Sequence, residues 1–122
     1  VRGKRVVLID DSIVRGTTSK KIVAMLRNAG AKEVHLRICS PIIRHPCFLG
    51  IDMQTHAQLI GHKRSVKDVC DYIGADSLEY LEVDELLETV KGSRIGFCTG
   101  CFTGAYPVDF DIKDIDKEKF EE

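Results

Sequence analysis

The most constraining feature of this chain is a run of four apolar residues that stops abruptly on charge. Val6-Val7-Leu8-Ile9 is followed by Asp10-Asp11-Ser12 and then by Gly16-Thr17-Thr18-Ser19. A short, continuous, β-branched and apolar run is the pattern of a parallel strand covered on both faces. From Ser19 the apolar residues Ile22, Val23, Leu26 and Ala29 recur at helical spacing. Thr17, Thr18 or Ser19 can cap that helix, and Gly30 stands where a left-handed residue would end it. Val34, Leu36 and Ile38 then alternate as a second strand running to Ser40. Strand, loop, helix and strand in such quick succession predict a βαβ unit with parallel strands.

Beyond Ser40 the texture changes. Pro41 to Gly50 holds two prolines and little periodicity, which predicts an ordered loop. A short helix is expected from Met53 to His62. A clearer one starts at Ser65, with Val66, Val69, Cys70 and Ile73 on one face and Gly74 closing it. Leu78 to Val83 reads as an extended piece, and Asp84 as the cap of a helix carrying Leu86, Leu87 and Val90. The chain therefore divides into a βαβ unit over 1–40, a helical and cysteine-bearing segment over 41–107, and an acidic tail over 108–122, read as frayed from Asp109 onward. Two parallel strands cannot close a doubly wound core, so the pattern reads as the C-terminal part of a larger α/β domain.

Composition narrows the function classes. In 122 residues, 18 Lys and Arg against 19 Asp and Glu leave a net charge of −1, so no basic field exists to hold nucleic acid. Mean hydropathy is −0.09, and the longest apolar run is far too short to span a bilayer. Five cysteines, an odd number without a secretory signal, argue against a disulfide framework and for a cytoplasmic protein.

Two adjacent carboxylates at the end of a covered strand need partners, because buried charge is costly. In open α/β sheets the crevice beyond the strand ends is where ligands bind. Residues Ser12 to Thr18 lead into a helix N-terminus, whose amides and hydroxyls suit a phosphate, and Gly16 lets backbone approach a ligand closely. Carboxylates beside a phosphate cradle point to a sugar phosphate, with Asp10 and Asp11 serving ribose hydroxyls or Mg²⁺. The loop is neither a Walker loop nor a dinucleotide fingerprint, since neither glycine pattern is present.

The cysteines form a second constellation. Cys98-x-x-Cys101 lies among glycines, and by itself is compatible with zinc, redox or iron–sulfur chemistry. Cys47, beside Pro46, is a candidate third ligand. Cys39 and Cys70 read as buried structural thiols. The histidines show no metal-ligand spacing; His45 reads as a packing residue, and Arg44, Lys63 and Arg64 as solvated.

Val6 to Thr18, VVLIDDSIVRGTT, resembles the phosphoribosyl pyrophosphate loop of the type I phosphoribosyltransferases, and its SIVRGTT form resembles the amidophosphoribosyltransferase family in particular. HPCFLGID, His45 to Asp52, and CTGCFTGAYP, Cys98 to Pro107, strengthen the resemblance to that family's iron–sulfur subgroup. The resemblance implies a parallel-sheet, Rossmann-like α/β domain, of which this chain is the C-terminal part, with a mainly helical C-terminal extension. It implies transfer of glutamine-derived ammonia to phosphoribosyl pyrophosphate, giving 5-phosphoribosylamine at the first step of purine synthesis. Asp10 and Asp11 would act at the ribose and Mg²⁺. Ser12, Ile13, Val14, Arg15, Gly16, Thr17 and Thr18 would bind the 5-phosphate, or the phosphate of a purine nucleotide feedback inhibitor. Cys47, Cys98 and Cys101 would supply three ligands of a [4Fe-4S] cluster, the fourth coming from an earlier part of the polypeptide. The family's N-terminal glutamine-hydrolysing domain is not among these residues, so these 122 residues alone are expected to be inactive. An open strand edge and an incomplete ligand set favour a homo-oligomer. Three other readings compete: a base-salvage phosphoribosyltransferase, a nucleotide-sensing regulatory module without catalysis, and a zinc-stapled interaction domain.

Overall fold

A computed structural model describes residues 1–51 and 55–109 of the chain. Its elements follow the order β1 (Arg5–Asp10), α1 (Thr17–Asn28), β2 (Glu33–Ile38), one 3₁₀ turn at His56–Gln58, α2 (Val66–Ile73), β3 (Ser77–Tyr80), α3 (Val83–Glu88) and α4 (Gly100–Thr103). The three strands form one parallel sheet in the order β1-β2-β3. Val6 pairs with Val34 and Asp10 with Ile38, while Leu36 pairs with Leu78. The expected βαβ unit is present, and the extended piece read over Leu78–Val83 is a third sheet strand over Ser77–Tyr80, with Val83 opening α3.

One face of the sheet carries the core. Val34, Leu36 and Ile38 of β2 meet Val23 of α1, Val69 and Ile73 of α2, and Leu78 of β3, with Ile13 and Ile60 closing the cluster. Fully burying a side chain of this kind contributes about 1.5–3 kcal/mol, so these nine residues dominate the stability of the unit. α2 owes its position to its ends. Ser65 and Asp68 form a reciprocal capping box, and Gly74 ends the helix at φ 82°. Val69 and Ile73 are buried and Cys70 half-buried as its periodicity predicts, whereas Val66, in the first turn, stays exposed. Gly30, at φ 88°, follows α1 as expected.

Within the described residues the helices cover one face of the sheet only, so this chain supplies one of the two covers that the apolar run Val6–Ile9 leads one to expect. Val7 is 61% and Ile9 68% exposed, because α1 and α2 both pack on the other face. An apolar run reports hydrophobicity on both faces but not what lies against them. Beside these residues runs a polar ladder: Glu33 to His35 at 3.0 Å, His35 to Ser77 at 2.9 Å, and Arg37 to Glu79 at 3.3 Å.

Other expectations shift locally. No side chain caps α1; its N-cap is Gly16 at φ 73°, not Thr17, Thr18 or Ser19. α3 is capped by Glu82, whose backbone N–H donates to Glu85, so Asp84 lies in the first turn instead. Cys39, one residue beyond β2, is exposed and not buried, because its strand ends where the sheet ends. Arg44 is half-buried and not solvated: its guanidinium donates to the carbonyls of Gly61 and Arg64 at 3.1 and 3.4 Å. Of the helix expected from Met53 to His62, only His56–Gln58 is helical; residues 52–54, and the tail from 110 on, lie outside the described residues. Among the described residues, no helix is long and apolar enough to cross a membrane.

Candidate active site at the sheet end

β1 ends on Asp10, and the chain turns away from the sheet there. The Asp10 carbonyl accepts from Cys39 N–H at 3.0 Å, which ties the ends of β1 and β2 together. Asp10 Oδ1 accepts from the Asp11 amide at 3.0 Å, and Asp11 Oδ1 from the Ser12 hydroxyl at 3.2 Å. Both carboxylates thus keep oxygens directed by local hydrogen bonds while Asp11 stays exposed. Ile13 plugs into the main core at 2% exposure and anchors the loop. Val14 rests on a second apolar cluster built from Ile43 and Leu59.

The run from Asp10 to Ser19 lines a single cleft of about 460 Å³. Every residue assigned to the site from the sequence, Asp10 through Thr18, is brought to it. At its base lies the start of α1. With no side-chain cap and no acidic residue in the first turn, the positive end of a twelve-residue helix faces the cleft, beside the Thr17 and Thr18 hydroxyls. Such an end is a preformed oxyanion site. Sequence reasoning missed Ile60. Its amide donates to the Val14 carbonyl at 2.9 Å, and its Cδ1 would stand 2.6 Å from a Cβ on Gly16. The glycine is therefore required by this chain's own packing and by its left-handed backbone. Nothing in the apolar pattern around Ile60 signals that contact.

Two of the three candidate ligand cysteines, Cys47 and Cys101, pack against the Ile43–Leu59 cluster, while Cys98 is exposed. Two ties close the two cysteine loops on each other. The Cys101 carbonyl accepts from the Arg44 and His45 amides, both at 3.0 Å, and Tyr106 Oη donates to the Pro46 carbonyl at 2.6 Å. Gly100 is packed against the Tyr106 ring so closely that a Cβ there would collide with it. Burial pushes the Cys101 thiol up, and the neighbouring Cys47 and Cys98 sulfurs push it further. Among the described residues, however, no three His, Cys, Asp or Glu side chains converge as donors to a single metal ion. Three histidines that showed no spacing signal do meet in space: the His56 ring stands 5.8 Å from His45 and 4.5 Å from His62. His45 packs against Gly104, in keeping with a packing role.

No family model matches the chain. It is 57% identical over 106 residues to the amidophosphoribosyltransferase of Synechococcus elongatus, covering 87% of this chain and 22% of that protein. Against the amidophosphoribosyltransferase of Bacillus subtilis it is 55% identical over 113 residues, covering 89% of this chain and 24% of the relative. Among solved structures, the allosteric regulatory enzyme of purine biosynthesis superposes with a TM-score of 0.82 at 53% identity, over 89% of this chain and 24% of that one. The glutamine phosphoribosylpyrophosphate amidotransferase of B. subtilis, complexed with ADP and GMP, gives 0.81 at 55% identity, over 89% and 25%. The chain thus spans about a quarter of the length of the proteins it matches. Its homologues at this level of identity are amidophosphoribosyltransferases, and its parallel sheet with flanking helices is the corresponding part of their type I phosphoribosyltransferase fold.

Proposed function

We propose that this chain supplies the phosphoribosyl pyrophosphate-binding side of an amidophosphoribosyltransferase, a glycosyltransferase of purine synthesis acting in the cytoplasm. The observation that carries the reading is the cleft lined without interruption by Asp10 to Ser19, over the uncapped start of α1. The 5-phosphate would sit on the first amides of α1 and the hydroxyls of Ser12, Thr17 and Thr18. That placement brings the ribose toward Asp10 and Asp11. As ammonia derived from glutamine forms the C1–N bond and the C1–O bond to pyrophosphate breaks, positive charge develops on the sugar. Two carboxylates fixed by the Asp11 amide and the Ser12 hydroxyl oppose that charge without reorganising.

Two groups absent from the chain fit its donors. Adjacent, partly exposed carboxylates suit Mg²⁺, which binds through one or two carboxylates plus substrate phosphates and would neutralise the leaving pyrophosphate. Cys47, Cys98 and Cys101 are all-sulfur donors on two loops tied together, the donor chemistry of three corners of a [4Fe-4S] cluster. The fourth thiolate, and the glutamine-hydrolysing domain, would come from outside these 122 residues, and the fragment by itself would be inactive. Purine nucleotides acting as feedback inhibitors would place their phosphate on the same loop; the related B. subtilis structure is one complexed with ADP and GMP. Assembly as a homo-oligomer completes the proposal. A nucleotide sensor without catalysis is less well supported, because the relatives at this identity are named as the enzyme.

Asp10→Asn and Asp11→Asn in the complete enzyme test the reading. Asparagine keeps the Oδ1 acceptors, so folding should survive. Turnover should fall by about a hundredfold or more, the usual cost of losing preorganised charge. A loss below about tenfold would remove the carboxylates from the chemistry.

A further inference from the structure

The phosphate loop has a back wall, and Tyr72 of α2 forms part of it. Gly16 stands at φ 73°, where the loop turns into α1. A Cβ built there would meet Ile60 Cδ1 first and then the edge of the Tyr72 ring, 3.4 Å from Cε1 and 3.6 Å from Cδ1. Gly16 lines the cleft and Tyr72 does not, so the ring supports the loop from behind.

Lys20 fastens the same ring to the helix. Its amide donates to the Gly16 carbonyl at 3.0 Å, the first hydrogen bond of α1. Its ammonium lies over the face of the Tyr72 ring, 4.3 Å from the centroid. A cation this near the positive end of a helix is poorly placed, and an aromatic face offsets that cost. Gly16, Lys20 and Tyr72 therefore close a circuit made of a backbone hydrogen bond, a cation–π contact and a ring edge against the glycine. The core does not account for the ring. Val69 and Ile73 are the buried residues of α2, whereas Tyr72 is 37% exposed and stands outside the main apolar cluster. What the ring does touch is the turn whose direction matters most. The first amides of α1 have no intrahelical acceptor and no side-chain cap, so the way the turn points decides where they can donate.

We infer that Tyr72 is a positioning residue for the phosphate loop, its ring clamping Gly16 and Lys20 so that the Thr17, Thr18 and Ser19 amides are aimed into the cleft. The inference rests on the reading of Asp10 to Ser19 as a phosphate cradle and adds the residue that sets its aim. Tyr72 touches no substrate; it acts through Gly16 and Lys20.

The test compares Tyr72→Leu, which removes the ring, with Tyr72→Phe, which keeps it, both in the complete enzyme. Hydrogen exchange over residues 16–20 reads the order of the turn without any ligand, and steady-state kinetics read its use. In Tyr72→Leu, exchange over 16–20 should quicken by about tenfold while the core amides of Leu36 and Val69 keep the parent rate. KM for phosphoribosyl pyrophosphate should rise by about tenfold, the worth of one misaligned charge-assisted hydrogen bond. kcat should stay near the parent value, because Asp10 and Asp11 are untouched. Tyr72→Phe should match the parent in both readouts. Faster exchange with an unchanged KM would make Tyr72 a structural residue only and overturn the inference. So would an equal rise of exchange at Leu36 and Val69, or a Tyr72→Phe variant as impaired as Tyr72→Leu. A parent enzyme with no dependence on phosphoribosyl pyrophosphate would sink the transferase reading instead, and the exchange comparison would then decide by itself whether Tyr72 orders the loop.

Discussion

Gly16 and Ile60 are locked together across the phosphate loop. The Ile60 amide holds the Val14 carbonyl at 2.9 Å, and the Ile60 Cδ1 occupies the space where a Cβ on Gly16 would project, 2.6 Å away. The loop is therefore shaped from behind, by a residue more than forty positions further along the chain.

Gly16→Ala should accordingly destabilise the protein. The left-handed backbone alone costs about 1–2 kcal/mol, and the Ile60 contact adds to it. Ile60→Val removes the offending Cδ1. The double variant should recover part of the loss, leaving the backbone cost behind, as read by denaturant unfolding. Strictly additive effects would mean that the two residues do not press on each other.

Asp76 is a second tie with a measurable signature. One of its oxygens accepts from the buried Val34 amide and from Arg27, both at 2.6 Å. The Val34 hydrogen bond first, then Arg27, holds its carboxyl below the usual range. The charged form therefore favours the folded state. Its contribution is complete above the unfolded value of about 3.9 and is lost as pH falls through the lower folded value. Asp76→Ala should cost about 1–2 kcal/mol at neutral pH, mostly the orphaned Val34 N–H, since the ion pair is half exposed. Unfolding followed from pH 7 to pH 2 should show a steeper acid loss in the parent than in the variant. Parallel curves would assign the acid sensitivity elsewhere.

What could be read in advance follows from range. α1, α2 and their glycine ends are written in residues three or four apart, and Gly30, Ser65 and Gly74 all stand where local rules put them. The phosphate loop was legible for the same reason, being one contiguous string. Contacts across the chain were not. Ile60 behind Gly16, Arg44 under the 61–64 turn, and the meeting of His45, His56 and His62 leave no periodic trace. Nor does an apolar run say which residues lie against it: Val7 and Ile9 find no cover among the described residues.

Tyr106 was another contact beyond local reading, and it bears on the cysteines. Its hydroxyl pins the carbonyl of Pro46, the residue before Cys47, to the loop that carries Cys101. Tyr106→Phe keeps the ring over Gly100 and removes the hydroxyl that makes that tie. If the proposed cluster is held by Cys47, Cys98 and Cys101, anaerobically assembled enzyme carrying Tyr106→Phe should lose iron and sulfide to oxygen several-fold faster. Cys47→Ser should abolish assembly. Iron content indifferent to Cys47 would place any cluster elsewhere.

The central claim is that Asp10 to Ser19 cradle a phosphorylated sugar, and a titration with phosphoribosyl pyrophosphate and Mg²⁺ tests it most directly. Amide resonances of the loop and the first turn of α1 are followed in the parent, in Asp10→Asn/Asp11→Asn and in Gly16→Val. The account predicts saturable movement of the Thr17, Thr18 and Ser19 amides in the parent. In the aspartate variant binding should weaken while the phosphate response survives, and in Gly16→Val, where the loop cannot close on Ile60, the response should vanish. Loop amides that stay still while the ligand binds, or that respond identically in Gly16→Val, would contradict it.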